Sequence, residues 1–410
     1  MFRKSNWNLL RPAVAVLSAM AAVTPVCAAE SISEAISEGK AKLDFRYRLE
    51  WVDQDPFAED ATASTLRARV NYTTADYQGV NFVVEFDYVA ELFGDEYNAG
   101  GGNTPNSGQY PVVADPDGDD LNQAFIQYSH GDNRFRAGRQ RIILDNARFV
   151  GNVGWRQNPQ TYDGLSFVHE GDNGLAFTVA YIGNTNRIFG DDVPAGDHGH
   201  DTTLLNISKQ FKNAGTLTAY HYGIENEDAA ALSNQTIGLR FNGTRKMNER
   251  SFGYTFEYAT QEDHANSPVN FSADYYRVDL SVGLGSATLY AGYESLEGDH
   301  LSGGKSFRTP LATLHAFNGW ADKFLSTPDA GLEDGFIGLR GEAGKWSWNA
   351  LYHDFSAQSG GVAFGTEIDA SLSRKLGEHY GLLLKAARFD SDNPSFGDTT
   401  KLWVQLTASF

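Results

Sequence analysis

The sequence predicts an all-β chain, a transmembrane antiparallel up-and-down β-barrel of about eighteen strands, and three observations carry that prediction. Apolar and polar residues alternate with period two from residue 42 almost to the end. Short turns and long links alternate along the chain. Beyond residue 29 there is no apolar run of about 18 residues, the length a spanning helix needs, whereas barrel strands show lipid only every second side chain.

The chain begins with Arg3, Lys4 and Arg11, an apolar stretch from Ala13 to Val23, and the small residues Cys27, Ala28 and Ala29 before Glu30. This is the plan of a secretion leader, so residues 1–29 are expected to be removed and 30–410 to form one outer-membrane barrel domain. Thr24, Pro25 and Val26 ahead of Cys27 do not make a lipid-attachment site. The leader holds the single cysteine, so the mature chain has no disulfide. It also takes away three cations and no carboxylate, moving the net charge from -19 to -22 and excluding nucleic acid as a partner.

After a short helical lead-in from Ser31 to Gly39, the first strand places Leu43, Phe45, Tyr47, Leu49 and Trp51 on one face and Lys42, Asp44, Arg46, Arg48 and Glu50 on the other. Later segments repeat the pattern: Leu66, Ala68, Val70 and Tyr72 oppose Arg67, Arg69 and Asn71, and Phe252, Tyr254, Phe256 and Tyr258 oppose Gly253, Thr255 and Glu257. Tight turns are expected at 75–79, 130–133, 170–173, 212–215, 283–285, 342–344 and 376–378, with long links at 93–119, 142–160, 185–200 and 297–330. Outer-membrane barrels sort their connections in this way, short on the periplasmic side and long outside. Phe410, preceded by apolar residues at alternate positions, resembles the C-terminal signal read by the outer-membrane assembly machinery.

Lumen-facing residues decide what a pore passes. Arg46, Arg48, Arg67 and Arg69 are expected there, with Glu50, Glu85 and Asp87 near enough to neutralise them. A second basic group, Arg134, Arg136, Arg139, Arg141, Arg148 and Arg156, runs into a link rich in Ile142, Ile143, Leu144, Phe149, Val150, Val153 and Trp155. That link is too apolar for a solvated tip, so it is expected to fold into the barrel as a constriction loop.

Gly138-Arg139-Gln140, Asp145, Arg148-Phe149, Gly151, Gly154-Trp155-Arg156-Gln157-Asn158 and Thr161-Tyr162-Asp163 resemble the signature stretch of the alginate export porin family. The resemblance extends loosely to the opening Phe45-Arg46-Tyr47-Arg48-Leu49-Glu50 strand and to Phe410. It implies a monomeric eighteen-stranded pore, a cargo of anionic polysaccharide, and selectivity roles for Arg139, Arg148 and Arg156. This chain is shorter than the founding exporter, and its inward faces also offer Glu257, Asp279, Glu294, Glu367 and Asp369.

Three motifs lead elsewhere on inspection. Gly298 to Ser306 mimics a phosphate loop with the wrong glycine spacing and no following helix. Asp115 to Asp120 mimics a calcium loop without its turn glycine or closing Glu. His198 and His200 among Asp191, Asp192, Asp197 and Asp201 read as a solvated loop rather than a metal site. The expected function is a passive outer-membrane pore for anionic solutes, either uronate polymers and oligomers or, alternatively, small carboxylates. A barrel-embedded enzyme needs a paired nucleophile and base that the sequence does not present, and a closed structural barrel would not conduct. No catalytic residue, cofactor or metal is expected; the expected partners are outer-membrane lipid and lipopolysaccharide, the assembly machinery through Phe410, and the solute.

Overall fold

The computed structural model describes residues 29–102 and 106–410. Apart from Ala29, the expected leader lies outside the described residues. Eighteen antiparallel strands close on themselves: β1 (Lys40–Gln54), β2 (Ala61–Thr73), β3 (Val80–Glu96), β4 (Gly118–His130), β5 (Asn133–Gln140) and β6 (Thr161–Glu170) come first. They are followed by β7 (Leu175–Asn186), β8 (Asp197–Phe211), β9 (Gly215–Ile224), β10 (Asn234–Met247), β11 (Arg250–Asp263) and β12 (Ser272–Leu284). The last six are β13 (Ala287–Leu296), β14 (Leu332–Ala343), β15 (Trp346–Ser356), β16 (Ala363–Leu376), β17 (Tyr380–Ser391) and β18 (Thr399–Ser409). Each strand pairs with its chain neighbour, and β1 closes on β18 from Asp44 opposite Ser409 to Gln54 opposite Thr399. Closure removes the open edges that would leave main-chain amides unpaired in lipid.

The predicted alternation is the side-chain pattern observed. Leu43 and Phe45 are exposed while Arg46, Arg48 and Glu50 are buried, and on β11 Phe256 and Tyr258 are exposed while Glu257 is buried. Turns at the end carrying both termini are short; the tightest lie between β4 and β5, β10 and β11, β12 and β13, and β14 and β15. The long connections, at 97–117, 141–160 and 297–331, all leave the opposite end, which is the extracellular one. At the periplasmic rim the lead-in is α1 (Ile32–Ser37), capped by Ser31 and tied to the barrel by the Ala75 amide donating to the Ala35 carbonyl at 2.9 Å.

The lumen departs from expectation in one respect. A water-filled lumen calls for a polar inner wall, but much of the inner wall in the extracellular half is apolar, with Tyr162, Ile182, Leu204, Tyr222, Leu296, Leu332, Phe355 and Phe389 all buried. The reason is that two long loops fold inward and need an apolar bed. Phe149 of the 141–160 loop sits among Tyr220, Tyr275 and Phe307 with ring centroids 5.3, 5.3 and 5.9 Å away, and Phe324 of the 297–331 loop lies 4.6 Å from Phe355. Such offset and edge contacts suit aromatic quadrupoles.

Candidate functional site

The loops meet along a short parallel bridge between Val150 and Leu311, where the Gly151 amide donates to the Leu311 carbonyl at 2.8 Å and the Thr313 amide to the Ala147 carbonyl at 2.9 Å. An infolded loop has no ladder to satisfy its carbonyls, and guanidinium groups with five donors each supply the missing partners. From β1, Arg46 donates to the Gln157 side chain at 2.9 Å and to the carbonyls of Gly154, at 3.0 Å, and Arg156. Arg48 reaches Asp115 at 3.1 Å, the Trp155 carbonyl at 2.5 Å and Gln405 at 2.7 Å, with its guanidinium 4.0 Å above the Trp155 ring. From β2, Arg67 donates to the Gln157 carbonyl at 3.2 Å. These three arginines face inward, and each holds the loop against the wall.

The remaining predicted cations divide by partner. Arg69 is bound to Asp87 at 2.6 Å, and Arg141 to Glu85, both from the inner face of β3. Arg136 faces inward and donates to Gln127 at 2.7 Å. Arg148 is clamped by Glu294 at 2.8 Å and by Asn318 at 3.0 Å. Arg156 bridges Glu50 on β1 at 3.0 Å and Asp322 on the 297–331 loop at 3.1 Å. Buried pairs of this kind do little for net stability when formed, but removing one partner is costly.

Arg139 requires correction as a pore-lining residue. It pairs in register with Ala124 and Asp163, on the face that also carries exposed Ile126, Phe135 and Leu165, so it points out of the barrel near the extracellular rim. There it binds Asp163 through two hydrogen bonds of 2.8 and 3.0 Å. Period-two parity from Arg134 and Arg136 already puts position 139 on the other face. Ile143, expected to be sheltered with the rest of its loop, is 53% exposed.

Residues that the sequence did not single out complete the site. Asp322 accepts from Lys401 at 2.8 Å and from His315 Nδ1 at 2.7 Å as well as from Arg156. Burial alone would raise the Asp322 carboxyl, but His315, Lys401 and Arg156 outweigh it and hold it well below the usual carboxylate range. Trp320 and Ala321 donate their amides to Asp369, at 3.2 Å, and Glu367, at 2.8 Å, on β16. Gly319 allows this approach: its φ is +83°, and a Cβ there would lie 2.4 Å from the Glu367 carboxylate. Asp115, read from sequence only as part of a false calcium loop, takes the Gln157 amide at 2.7 Å together with Arg48. Among the described residues no group of three or more His, Cys, Asp and Glu could hold a metal ion. The amide of Gly304 in the phosphate-loop mimic is satisfied by Asp329 at 2.7 Å.

The profile of a family described as Alginate export matches residues 40–277, more than half of the chain. The chain belongs to the alginate export family. Three similar solved structures are the outer-membrane protein OpdK and the protein OpdO, both of Pseudomonas aeruginosa, and OccAB4 of Acinetobacter baumannii. Their identities to this chain are 14, 12 and 14%, with TM-scores of 0.69, 0.71 and 0.73. The alignments cover 90, 92 and 91% of this chain and 99, 98 and 98% of those. At such identities the likeness is one of fold. No curated protein matches the chain in sequence. As a member of the alginate export family with a closed eighteen-stranded barrel, the protein is an outer-membrane porin and not an enzyme.

His315 gives this porin a pH-sensitive loop anchor. Burial pulls its imidazole down to about 3, against the attraction of Asp322 and with Lys385 2.6 Å from Nε2. The neutral ring donates to Asp322 and accepts from Lys385. Because the folded value lies below the unfolded one near 6.5, this contribution is complete above about pH 6.5 and is lost as pH falls toward 3. Current noise from loop movement should therefore rise between pH 7 and pH 4, and His315→Gln, which can still donate and accept, should flatten that dependence. An identical pH response in the variant would contradict the assignment to His315.

Proposed function

We propose that this porin passes anionic solutes passively, and compact ones in preference to polymers. The observation that carries the charge preference is that Arg46, Arg67, Arg136 and Arg340 point inward and make no ion pair with a carboxylate among the described residues, their contacts being loop carbonyls, amide side chains and aromatic faces. Of the inward acids on β16, Glu367 accepts the Ala321 amide and Asp369 the Trp320 amide of the 297–331 loop. A wet lumen with cations left unneutralised concentrates anions without turnover or cofactor. The size preference is supported by the two loops filling much of the extracellular half, which narrows the way for a uronate polymer. On this reading the barrel acts as a monomer in lipid and lipopolysaccharide. Phe410, whose amide donates to the Leu43 carbonyl at 2.9 Å beside the closing seam, is offered at the periplasmic rim to the assembly machinery.

Tracer entry into proteoliposomes tests both halves of the proposal. Glucuronate should enter faster than glucose, and an oligouronate of about six sugars should be excluded. Entry of the oligomer as fast as the monomer would favour polymer export, and faster entry of glucose would reject anion preference.

A further inference from the structure

Two pockets adjoin on the extracellular side of the narrowing, one of about 430 Å³ and one of about 170 Å³. Arg187, Pro310, Leu314, Leu325 and Ser326 line both, so they form one chamber. Its charged lining is lopsided: Arg148, Arg156, Arg187, Arg308 and Lys401 face a single carboxylate, Asp322. Three of those cations are already balanced, Arg148 by Glu294, Arg156 by Glu50 and Asp322, and Lys401 by Asp322.

Arg187 and Arg308 are different. Neither forms an ion pair among the described residues. Arg187 donates to the Ala195 carbonyl at 3.3 Å and lies 5.4 Å from the Phe189 ring centroid; Arg308 donates to the Gly304 carbonyl and lies 5.5 Å from the Phe271 ring centroid. Burial disfavours the charged form of both guanidiniums, offset at Arg308 only in part by the Asp329 carboxylate beyond ion-pair distance, and a bound anion would relieve the remaining penalty. The rest of the wall is mixed around Arg308, where Thr309 and Thr327 stand beside Leu232 and Phe324, and mostly apolar in the larger pocket, where Ile188, Phe189, Leu314 and Leu325 outweigh Gln54, Gln160 and Ser326. A uronate, with hydroxyls all around its ring, would leave most of them against the apolar side of that wall without partners. An anion whose body is apolar would not.

We propose that this chamber is a loading site on the extracellular face of the porin, in which Arg187 and Arg308 hold the carboxylate of a compact monoanion with an aromatic or branched aliphatic body. The proposal rests on the anion-channel reading and adds to it the place of first binding, the residues and the solute class. The guanidinium forks supply charge-assisted, geometrically specific hydrogen bonds, and the apolar wall takes the body.

The test uses the full chain in a planar bilayer, with benzoate, galacturonate or benzamide added on the extracellular side and binding read from transient current block. Benzoate should bind at least about tenfold more tightly than galacturonate, and uncharged benzamide should not block. Arg187→Gln with Arg308→Gln should weaken benzoate block by about tenfold, and the double Lys replacement should recover part of it. The thermal unfolding midpoint by circular dichroism, measured in parallel, shows that the variants are folded. Benzoate block within about twofold of the parent in the double Gln protein, or equal block by galacturonate, would overturn the loading site. The parent's reversal potential in a salt gradient separates the two readings: cation preference there contradicts the channel reading as well, whereas anion preference with an unaffected double Gln variant contradicts the loading site alone.

Discussion

Replacing Arg156 with Met should destabilise the barrel by about 3–5 kcal/mol, the range for breaking a buried charge pair from one side. Glu50 is fully buried, Arg156 is the one cation that pairs with it among the described residues, and one of its carboxylate oxygens already has no partner. The replacement leaves that carboxylate buried and charged without its paired guanidinium or forces it to take a proton. It also cuts the tie between the 141–160 loop and Asp322 on the 297–331 loop, so the narrowing should loosen. The expected result is a lower urea midpoint for the protein in lipid vesicles, together with larger and noisier single-channel current. A second replacement, Glu50→Gln on the Arg156→Met background, should recover part of the stability by removing the stranded charge, without restoring the quiet current. Unchanged stability and current in Arg156→Met would show that the loop is held elsewhere.

Phe149→Ala should cost a comparable amount, about 3–5 kcal/mol, through lost transfer energy and an unfilled cavity. Phe149 is the apolar counterpart of the arginine clamps: its ring packs among Tyr220, Tyr222, Tyr275 and Phe307, fixing the loop to the far wall from β9 to β12 and to the second loop. The same vesicle unfolding measurement reports the loss. Phe149→Leu, which keeps most of the volume, should lose much less. A Phe149→Ala protein as stable as the parent would mean that the loop is not packed against that wall.

The barrel was legible in the sequence because its signal is local. Alternation on β1 sets Phe45 against Arg46 two to four residues at a time, and the length of a connection needs no partner to be read. The inward fold of 141–160 was legible for a similar reason, since Phe149 and Val150 cannot stay in water. What they rest on was not. Arg156 meets Asp322 across 166 residues, and Arg148 meets Glu294 across 146. The composition of 297–331 carries the same signal as 141–160, since Phe307, Leu311, Leu314, Phe317, Trp320, Phe324 and Leu325 cannot stay in water, but the apparent phosphate loop at its start drew attention away from them. Glu294 was marked as an inward acid, but its role as the seat of Arg148 depends on that distant closure. Arg139 shows the opposite failure: strand parity was available, and grouping residues by charge along the segment overrode it. The arginines Arg46, Arg48 and Arg67 were assigned to the right face, yet the carbonyls that occupy them come from a loop about 90 to 110 positions away.

On the proposed reading, a barrel interior that still conducts after two loops have folded into it, with cations left over, is what makes this protein an anion pore. The most direct test of that reading is the reversal potential of a single purified porin across a planar bilayer in a potassium chloride gradient. The expected result is stable conductance with a reversal potential on the chloride side, moving toward zero when Arg46 and Arg67 are both replaced by Gln. A bilayer that stays silent, or a reversal potential on the potassium side, would contradict it.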